Sequence, residues 1–249
     1  MNIDVSSVDY VLSTTRSVRL RLDFEREVDM QVILDCIDIA EQAPTGGNLG
    51  SRRWIVITEQ KQKEKIADLY FNSAGKWMVK ARDSLVGTGH PNEKMMESAA
   101  YLAENLAKSP AIVVPTIIGV HDNSGRPGLF DSVIQSAWSF CLALRARGLG
   151  TAWTTAILSE QDDLNAVLEI PTENTAIAMF PVAWTKGSEF SKVERKPARD
   201  ITFFNTYGKT FIEGPVGKVS FSDGPGVSVE VDVNCRVEQA WQLITDINF

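Results

Sequence analysis

The sequence predicts an α+β fold in which a small central sheet is flanked by helices. Segments with the apolar spacing of helices and short apolar segments typical of strands are mixed along the chain, without regular β–α alternation. No G-x-G-x-x-G motif follows a predicted strand, and the pair Gly148 and Gly150 comes after a helix instead of before one. A Rossmann-type dinucleotide site is therefore disfavoured.

The composition is that of an ordinary globular protein and excludes several classes of function. The net charge of −7 over 249 residues disfavours a nucleic-acid scaffold, which needs a basic surface. The two histidines, His90 and His121, have no second ligand at metal spacing, so neither a metal site nor a Ser-His-Asp triad is predicted. Basic residues instead form local clusters, which suit a small anionic ligand: Arg16, Arg19 and Arg21; Arg52 and Arg53; Arg195, Lys196 and Arg199.

The cysteines and the apolar segments indicate a cytoplasmic protein. Cys36 and Cys141 lie among apolar residues at helical spacing, where buried thiols act as small hydrophobic side chains. The first four residues do not begin a signal peptide. No apolar stretch approaches the roughly 20 residues that a membrane span needs. No membrane or nucleic-acid partner is expected.

The first half of the chain is predicted to be mainly helical. Helices are expected at about 6–12, 29–43, 59–71 and 93–107, and a strand at 54–57. Ser6 or Ser7 can cap the first helix and Asp29 the second, which ends at Ala43 because Pro44 disfavours the helical region before it. Residues 75–91 mix apolar residues with glycines, which indicates either a lid over a pocket or a surface excursion.

A central strand and a long helix dominate the second half. Residues 111–120 predict a central strand with a bulge at Pro115, which cannot donate to a ladder. The strongest helix covers about 129–147 and ends at Gly148. Because it is apolar on nearly every face, it is expected in the core or at a dimer interface. The remaining elements are a loop at 121–128, a short strand after the glycine turn, a helix opened by Ser159 and a strand at 176–184.

The pattern of residues changes after Gly208. Valines alternate with polar residues at 227–233, which predicts a half-buried strand, and a helical stripe follows at 237–244. One strand and one helix cannot form a domain by themselves. The main domain is therefore expected to cover 1–213, and the tail at 214–249 either packs on it or is the truncated start of a second domain.

Four separated stretches carry residues that suit an anionic ligand. Guanidinium groups and a hydroxyl occur together near the N-terminus. A glycine-rich loop with free backbone geometry follows the second helix. A turn at a strand end can expose N–H groups, and further positive charge occurs late in the chain. The residues are Arg16, Ser17 and Arg19; Pro44, Thr45 and Asn48; Thr154 and Thr155; and Arg195 with Lys196.

In this order the four stretches resemble the nitroreductase family of FMN-dependent oxidoreductases. The motifs are Arg-Ser-Val-Arg, Ala-Pro-Thr-Gly-Gly-Asn, Ala-Arg-Gly-Leu-Gly and a late Arg-Lys-Pro, within about 13–207. The resemblance implies a homodimer of nitroreductase-like fold that holds FMN and takes hydride from NADH or NADPH. The electron acceptor would be a nitroaromatic, a quinone or a similar small molecule. No catalytic side chain is expected, because the flavin carries the chemistry.

The resemblance assigns the basic residues to one end of the cofactor. Arg16, Ser17 and Arg19 resemble the family's contacts to the FMN phosphate, the ribityl chain and the pyrimidine edge. Arg195 matches the family's late phosphate ligand, with Lys196 as an additional candidate.

The resemblance also assigns residues to the flavin ring. Pro44, Thr45 and Asn48 match the turn that lies against the isoalloxazine ring, contributed by the partner subunit. Thr154 and Thr155 fall near the backbone donors that approach flavin N5 and O4.

Departures from the family pattern leave alternatives open. Gly50-Ser51-Arg52 stands where the family often has Gln-Pro-Trp, and Thr15 where it often has arginine. A flavin-binding or storage module with little turnover is one alternative. A deiodinase-like reductive dehalogenase is another, although the acid, tyrosine and lysine set that grips a deiodinase substrate is not found. The tail at 227–246 resembles the start of a START-like domain, so a third alternative places the working part in a hydrophobic-ligand domain.

Overall fold

The computed structural model describes residues 3–120 and 130–209, together with the backbone of 217–222 and 228–233. These residues belong to two compact units, divided between Lys192 and Val193. The described helices are α1 Val5–Thr14, α2 Met30–Ala40, α3 Gln60–Tyr70, α4 Lys76–Leu85, α5 Glu93–Asn105, α6 Phe130–Ala146 and α7 Gln161–Leu168. The described strands are β1 Leu22–Asp23, β2 Arg52–Ile57, β3 Ala111–Ile118, β4 Leu149–Gly150, β5 Asn174–Ala176, β6 Phe180–Thr185, β7 Gly217–Ser222 and β8 Ser228–Val233.

Six strands form one antiparallel sheet with β3 near its centre. The main strand order is β1-β6-β3-β2, with β4 paired to β6 and β5 paired to β3. Residues 111–117 of β3 are all buried, which explains why this strand is a continuous apolar run in the sequence. The predicted α+β fold with a small central sheet is confirmed.

Helices cover both faces of the sheet. Alternate residues of β3 belong to two separate hydrophobic clusters, because successive side chains of a strand point to opposite faces. Ile112 and its neighbours pack against α3, α5 and α7 on one face. Val113 packs against α2 and α6 on the other, where Phe140 of α6 is fully buried. The result is a three-layer arrangement with α6 against the sheet.

The bulge predicted at Pro115 is absent between β3 and β2 but present on the other side of β3. There Val113 lies opposite Phe180 and Thr116 opposite Ala176, so two residues of β3 face three of its partner. β2 and β3 pair in continuous register, and Trp54 lies opposite Pro115. The carbonyl of Pro115 points away from β2 and accepts from the N–H of Ile177 at 3.0 Å. The N–H and C=O positions of one residue face the same neighbour in an antiparallel ladder. The missing donor therefore falls between β5 and β6, where the pairing is interrupted.

α6 combines a buried stripe with an exposed edge. The predicted stripe is buried, from Val133 through Ala137 to Leu144. Ile134 and Trp138, one turn apart, are exposed by 41% and 40%. The helix is followed by Gly148 with φ of 79°, as its C-terminal position requires. The expected interface with another subunit stays a prediction.

The N-terminal half is more helical than the sequence indicates. α1 is capped by Asp4 and not by Ser6 or Ser7; their hydroxyls, led by that of Ser7, lower the pKa of Asp4 to about 2. α3 continues through a π-helix at Phe71–Gly75 into α4, so the glycine-interrupted segment begins as a helix.

The two described cysteines are inert core residues. Cys36 and Cys141 are buried in the cluster between α2, α6 and the sheet. Burial raises the pKa of Cys36 and raises that of Cys141 to about 12, because a thiolate would be poorly solvated there. The expectation of buried thiols is confirmed.

β7 and β8 form a separate two-stranded hairpin in the second unit. β8 confirms the strand predicted at 227–233, whereas β7 was not predicted. The helix predicted at 237–244 and the loop predicted at 121–128 lie outside the described residues.

Candidate functional site

The predicted phosphate-binding segment lies beside the glycine turn that follows α6. After α1 the chain becomes extended, and Ser17 forms a parallel bridge with Thr151. The N–H of Val18 donates to the carbonyl of Thr151 at 2.8 Å. The structure thus places the Arg16–Arg19 segment against Thr151, three residues before the predicted Thr154.

The close contact between the Arg16–Val18 segment and Thr151 depends on the glycine at position 150. A Cβ at Gly150 would lie 2.7 Å from Cγ2 of Thr185 and 3.2 Å from Cβ of Val18. Any larger residue would push the Arg16–Val18 segment away from the strand end. The sequence indicates a glycine turn here but not this close contact.

Two buried polar atoms at this junction have no hydrogen-bond partner among the described residues. They are Nε of Arg16 and Oγ1 of Thr151. The Nη2 group of Arg16 donates to the carbonyl of Ser191. Each unsatisfied buried group costs about 1–3 kcal/mol, so a bound ligand that pairs with both would stabilise the site.

Ser17 and Arg19 lie next to this pair. Ser17 is exposed and Arg19 is partly exposed, and neither side chain has a partner among the described residues. The chain turns at Arg19, whose carbonyl accepts from the N–H of Leu22 at 3.1 Å.

Other arginines of this region serve the fold. Arg21 donates to the carbonyls of Lys186 and Glu189 at 2.8 Å each. Arg21 and Arg145 both lie over the ring of Phe190, at 4.1 and 4.7 Å from its centre. Arg21 is therefore not available to a ligand, although the sequence places it in the same basic cluster as Arg16.

The two predicted threonines have different environments. Thr154 is buried, exchanges two backbone hydrogen bonds with Met179 and donates its hydroxyl to Oη of Tyr70 at 3.3 Å. Thr155 is exposed, and its N–H has no partner among the described residues. Of the pair, only Thr155 presents a free backbone donor at the strand end.

The predicted ring-binding loop is exposed and held by α6. Gly46–Asn48 form a 3-10 turn in which Gly47 and Asn48 have φ of 61° and 55°. The N–H of Gly46 donates to Oγ of Ser132 at 2.8 Å, and Thr45 donates to the carbonyl of Leu49 at 2.7 Å. Pro44 is exposed as well.

The loop and the Arg16 segment lie at opposite ends of α6. Ser132 is in the first turn of the helix, and Arg145 in the last turn donates to Oγ1 of Thr14 at 3.3 Å. Thirteen residues of α-helix separate the two contacts, about 20 Å at the usual rise per residue. A single chain therefore does not bring the predicted ring contacts to the predicted phosphate contacts.

Arg52 is a structural residue that the sequence did not reveal. Its guanidinium is buried, lies 3.3 Å from a carboxylate oxygen of Glu41 and donates to the carbonyls of Glu41, Ala43 and Ser132. Trp54 donates to the same carboxylate at 2.8 Å. Arg52, which departs from the family pattern, thus connects the end of α2 and the start of the 44–48 loop to α6 by hydrogen bonds.

Arg195 and Lys196 are exposed and belong to the second unit. Their assignment to the cofactor phosphate stays a prediction.

The comparison with protein families decides what kind of protein this is. The model of the nitroreductase family matches residues 12–184, more than half of the chain. The chain belongs to the nitroreductase family. No curated protein matches its sequence. The predicted family is thereby confirmed for the first unit.

Solved structures show the same nitroreductase-like fold. Iodotyrosine deiodinase, solved with FMN and 3-iodo-L-tyrosine, has a TM-score of 0.61 and 18% identity, covering 80% of this chain and 99% of its own. A BluB-like flavoprotein from Clostridium difficile has a TM-score of 0.60 and 22% identity, covering 80% and 99%. A nitroreductase-like protein from Bacillus cereus has a TM-score of 0.59 and 15% identity, covering 83% and 100%. At these identities the likeness concerns the fold alone.

Nothing in these comparisons supports the START-like resemblance of the tail. The nitroreductase match ends at residue 184, and much of the tail lies outside the described residues. Within the described part of the chain, no helix is long and apolar enough to cross a membrane.

Proposed function

We propose that this nitroreductase-family protein is an FMN-dependent oxidoreductase. It would take hydride from NADH or NADPH and pass it to a nitroaromatic, a quinone or a similar acceptor. The observation that carries the proposal is the pair of buried, unpartnered polar atoms on Arg16 and Thr151, beside the free hydroxyl of Ser17. Buried donors without a partner among the described residues suit an anionic ligand, and the phosphate of FMN carries about 1.5 to 2 negative charges.

The residues of this chain have separate tasks in the proposed site. Arg16, Ser17 and Arg19 would hold the phosphate and the adjacent ribityl chain. The free N–H of Thr155 orients the flavin ring by donating to its N5 or O4 edge. FMN, when bound, supplies the two-electron chemistry that no side chain of the protein offers.

We propose further that the protein is a homodimer in which each site combines two subunits. The 44–48 loop lies about 20 Å from the Arg16 end of its own chain, by the length of α6. The same face of the molecule exposes apolar side chains near the loop and on α6: Leu49 by 52%, Ile134 by 41% and Trp138 by 40%. Apolar surface of this kind is typical of subunit interfaces. Pro44, Thr45 and Asn48 would then contact the flavin ring of the partner's site.

The absorption spectrum of the purified protein tests the proposed function directly. We expect a yellow protein, or one that becomes yellow on addition of FMN, with flavin bands bleached by NADH or by NADPH under anaerobic conditions. Addition of a quinone or a nitroaromatic should restore the bands. A protein that takes up no FMN would overturn the proposal, and one that binds FMN but is bleached by neither nicotinamide would support the storage alternative.

Mixing two variants that are each inactive at a limiting FMN concentration tests the shared site. Arg16→Ala removes the phosphate donor, and Thr45→Trp fills the space expected for the ring with an indole. After unfolding and refolding together, half of the dimers should be mixed, and each mixed dimer has one intact site. Flavin-dependent activity should therefore return to about a quarter of the wild-type value.

The control is each variant refolded alone, which should stay inactive. Activity that does not return on mixing, although mixed dimers form, would show that each site is built from one chain.

A further inference from the structure

Tyr70 is a buried tyrosine whose hydroxyl lies between Thr154, which pairs with Met179, and Met78 of α4. It is the last residue of α3, is only 2% exposed and is directly followed by the π-helix Phe71–Gly75. π-helical turns are rare and occur frequently at functional sites. Here the turn needs glycine at position 75, because a Cβ there would lie 2.6 Å from the ring of Phe71.

The Tyr70 hydroxyl joins the strand end to α4. It accepts from Oγ1 of Thr154 at 3.3 Å and lies 3.9 Å from Sδ of Met78 on α4. Thr154 has no other side-chain partner among the described residues, and its backbone is already paired with Met179. Three fixed points therefore hold Thr154: two backbone hydrogen bonds and the tyrosine hydroxyl.

We infer that Tyr70 is a positioning residue of the flavin site. The carbonyl of Thr154 and the N–H of Thr155 belong to one planar peptide group, which the hydrogen bond from Met179 holds at 2.9 Å. By holding the side chain of Thr154, Tyr70 supports this pairing and thus the direction of the free N–H of Thr155. Through Met78 it also makes that direction depend on the position of α4. The inference rests on the proposed function, because it deepens the role of the Thr155 donor.

The Tyr70 hydroxyl should therefore affect the rate of flavin reduction but not the affinity for FMN. The phosphate contacts are made by the Arg16 segment, so removal of the Tyr70 hydroxyl should leave FMN affinity nearly unchanged. The N–H of Thr155 would be less well oriented toward the reacting edge of the flavin. A donor is effective only within a narrow range of angles, so flavin reduction should slow.

The test compares Tyr70→Phe and Thr154→Val with a matched control. Tyr101→Phe removes a hydroxyl that has no partner in the described part of the chain, from a tyrosine of the same unit that stacks on Phe24. In flavin-free protein, hydrogen exchange at the amide of 154, which donates to the carbonyl of Met179, should become about 3- to 10-fold faster in both test variants and stay unchanged in the control. The double variant should be no faster than either single variant, because both remove the same hydrogen bond.

In FMN-loaded protein, reduction by saturating nicotinamide should slow about 3- to 10-fold in both test variants, while the Kd for FMN changes less than about twofold. Unchanged exchange, or additive effects in the double variant, would overturn the inference. A decrease in FMN affinity as large as the decrease in rate would also overturn it, since that indicates a general structural role. If the wild-type protein takes up no FMN, the proposed function fails, and the exchange data alone then decide whether Tyr70 orders the 154–155 segment.

Discussion

Replacing Arg16 with alanine is expected to give a folded protein that binds FMN only weakly. Arg16 is partly exposed and contacts the rest of the first unit mainly through the carbonyl of Ser191, so the fold should tolerate its replacement. Each hydrogen bond to a charged group contributes about 1.5–3 kcal/mol, so the Kd for FMN should rise roughly 10- to 150-fold for each hydrogen bond that the substitution removes. Flavin fluorescence during titration measures the Kd, and thermal unfolding checks the fold.

Arg26→Ala is the matched control for this experiment. Arg26 is an exposed arginine of the same unit whose guanidinium lies over Trp184, and it is not among the residues proposed to hold the phosphate. It should bind FMN as the wild type does. Arg16→Ala protein that keeps full FMN affinity would contradict the assignment of the N-terminal segment.

Replacing Arg52 with alanine is expected to destabilise the first unit by about 2–4 kcal/mol. The substitution leaves the carbonyls of Ala43 and Ser132 without their donor, and it removes the cation beside Glu41. The effect should stay below that of breaking a fully buried ion pair, because the Glu41 side chain is 38% exposed and water can solvate it. Urea denaturation measures the change in the free energy of unfolding.

Arg53→Ala is a control one residue away. Arg53 is exposed and donates only to carbonyls within its own segment, those of Gly50 and Arg52. Its replacement should change the free energy of unfolding by no more than about 0.5 kcal/mol. Equal effects of the two substitutions would show that the buried contacts of Arg52 do not stabilise the loop.

Much of the fold could be predicted because its signals are local. The apolar spacing of α2 and α6, the cap at Asp29 and the continuous apolar run of β3 each reflect interactions within one segment or burial of one face. The irregularity at Pro115 depends instead on contacts between distant segments. Pro115 breaks no ladder because its missing donor faces a gap that only the arrangement of β5 and β6 creates.

The candidate site was predictable as a set of residue types but not as a geometry. Arg16, Ser17 and the threonine pair were identified from their chemistry and order. Their neighbours were not, because Ser17 meets Thr151 only through sheet packing over more than a hundred residues. The sequence likewise could not separate Thr154 from Thr155, since exposure and the contact with Tyr70 depend on an element that lies far away in the chain.

Residue order and chemistry alone were enough to predict the family and the fold class. The residues proposed to hold an anionic cofactor stay a prediction. Folding selects which of the arginines remain available to a ligand. Arg16 donates to one backbone carbonyl and keeps a buried nitrogen without a partner among the described residues, whereas Arg21 donates to two carbonyls and Arg52 to three. The physical reason is that a guanidinium serves equally well as a ligand for an anion or as a donor to the backbone, and only the groups that folding places around it select between the two.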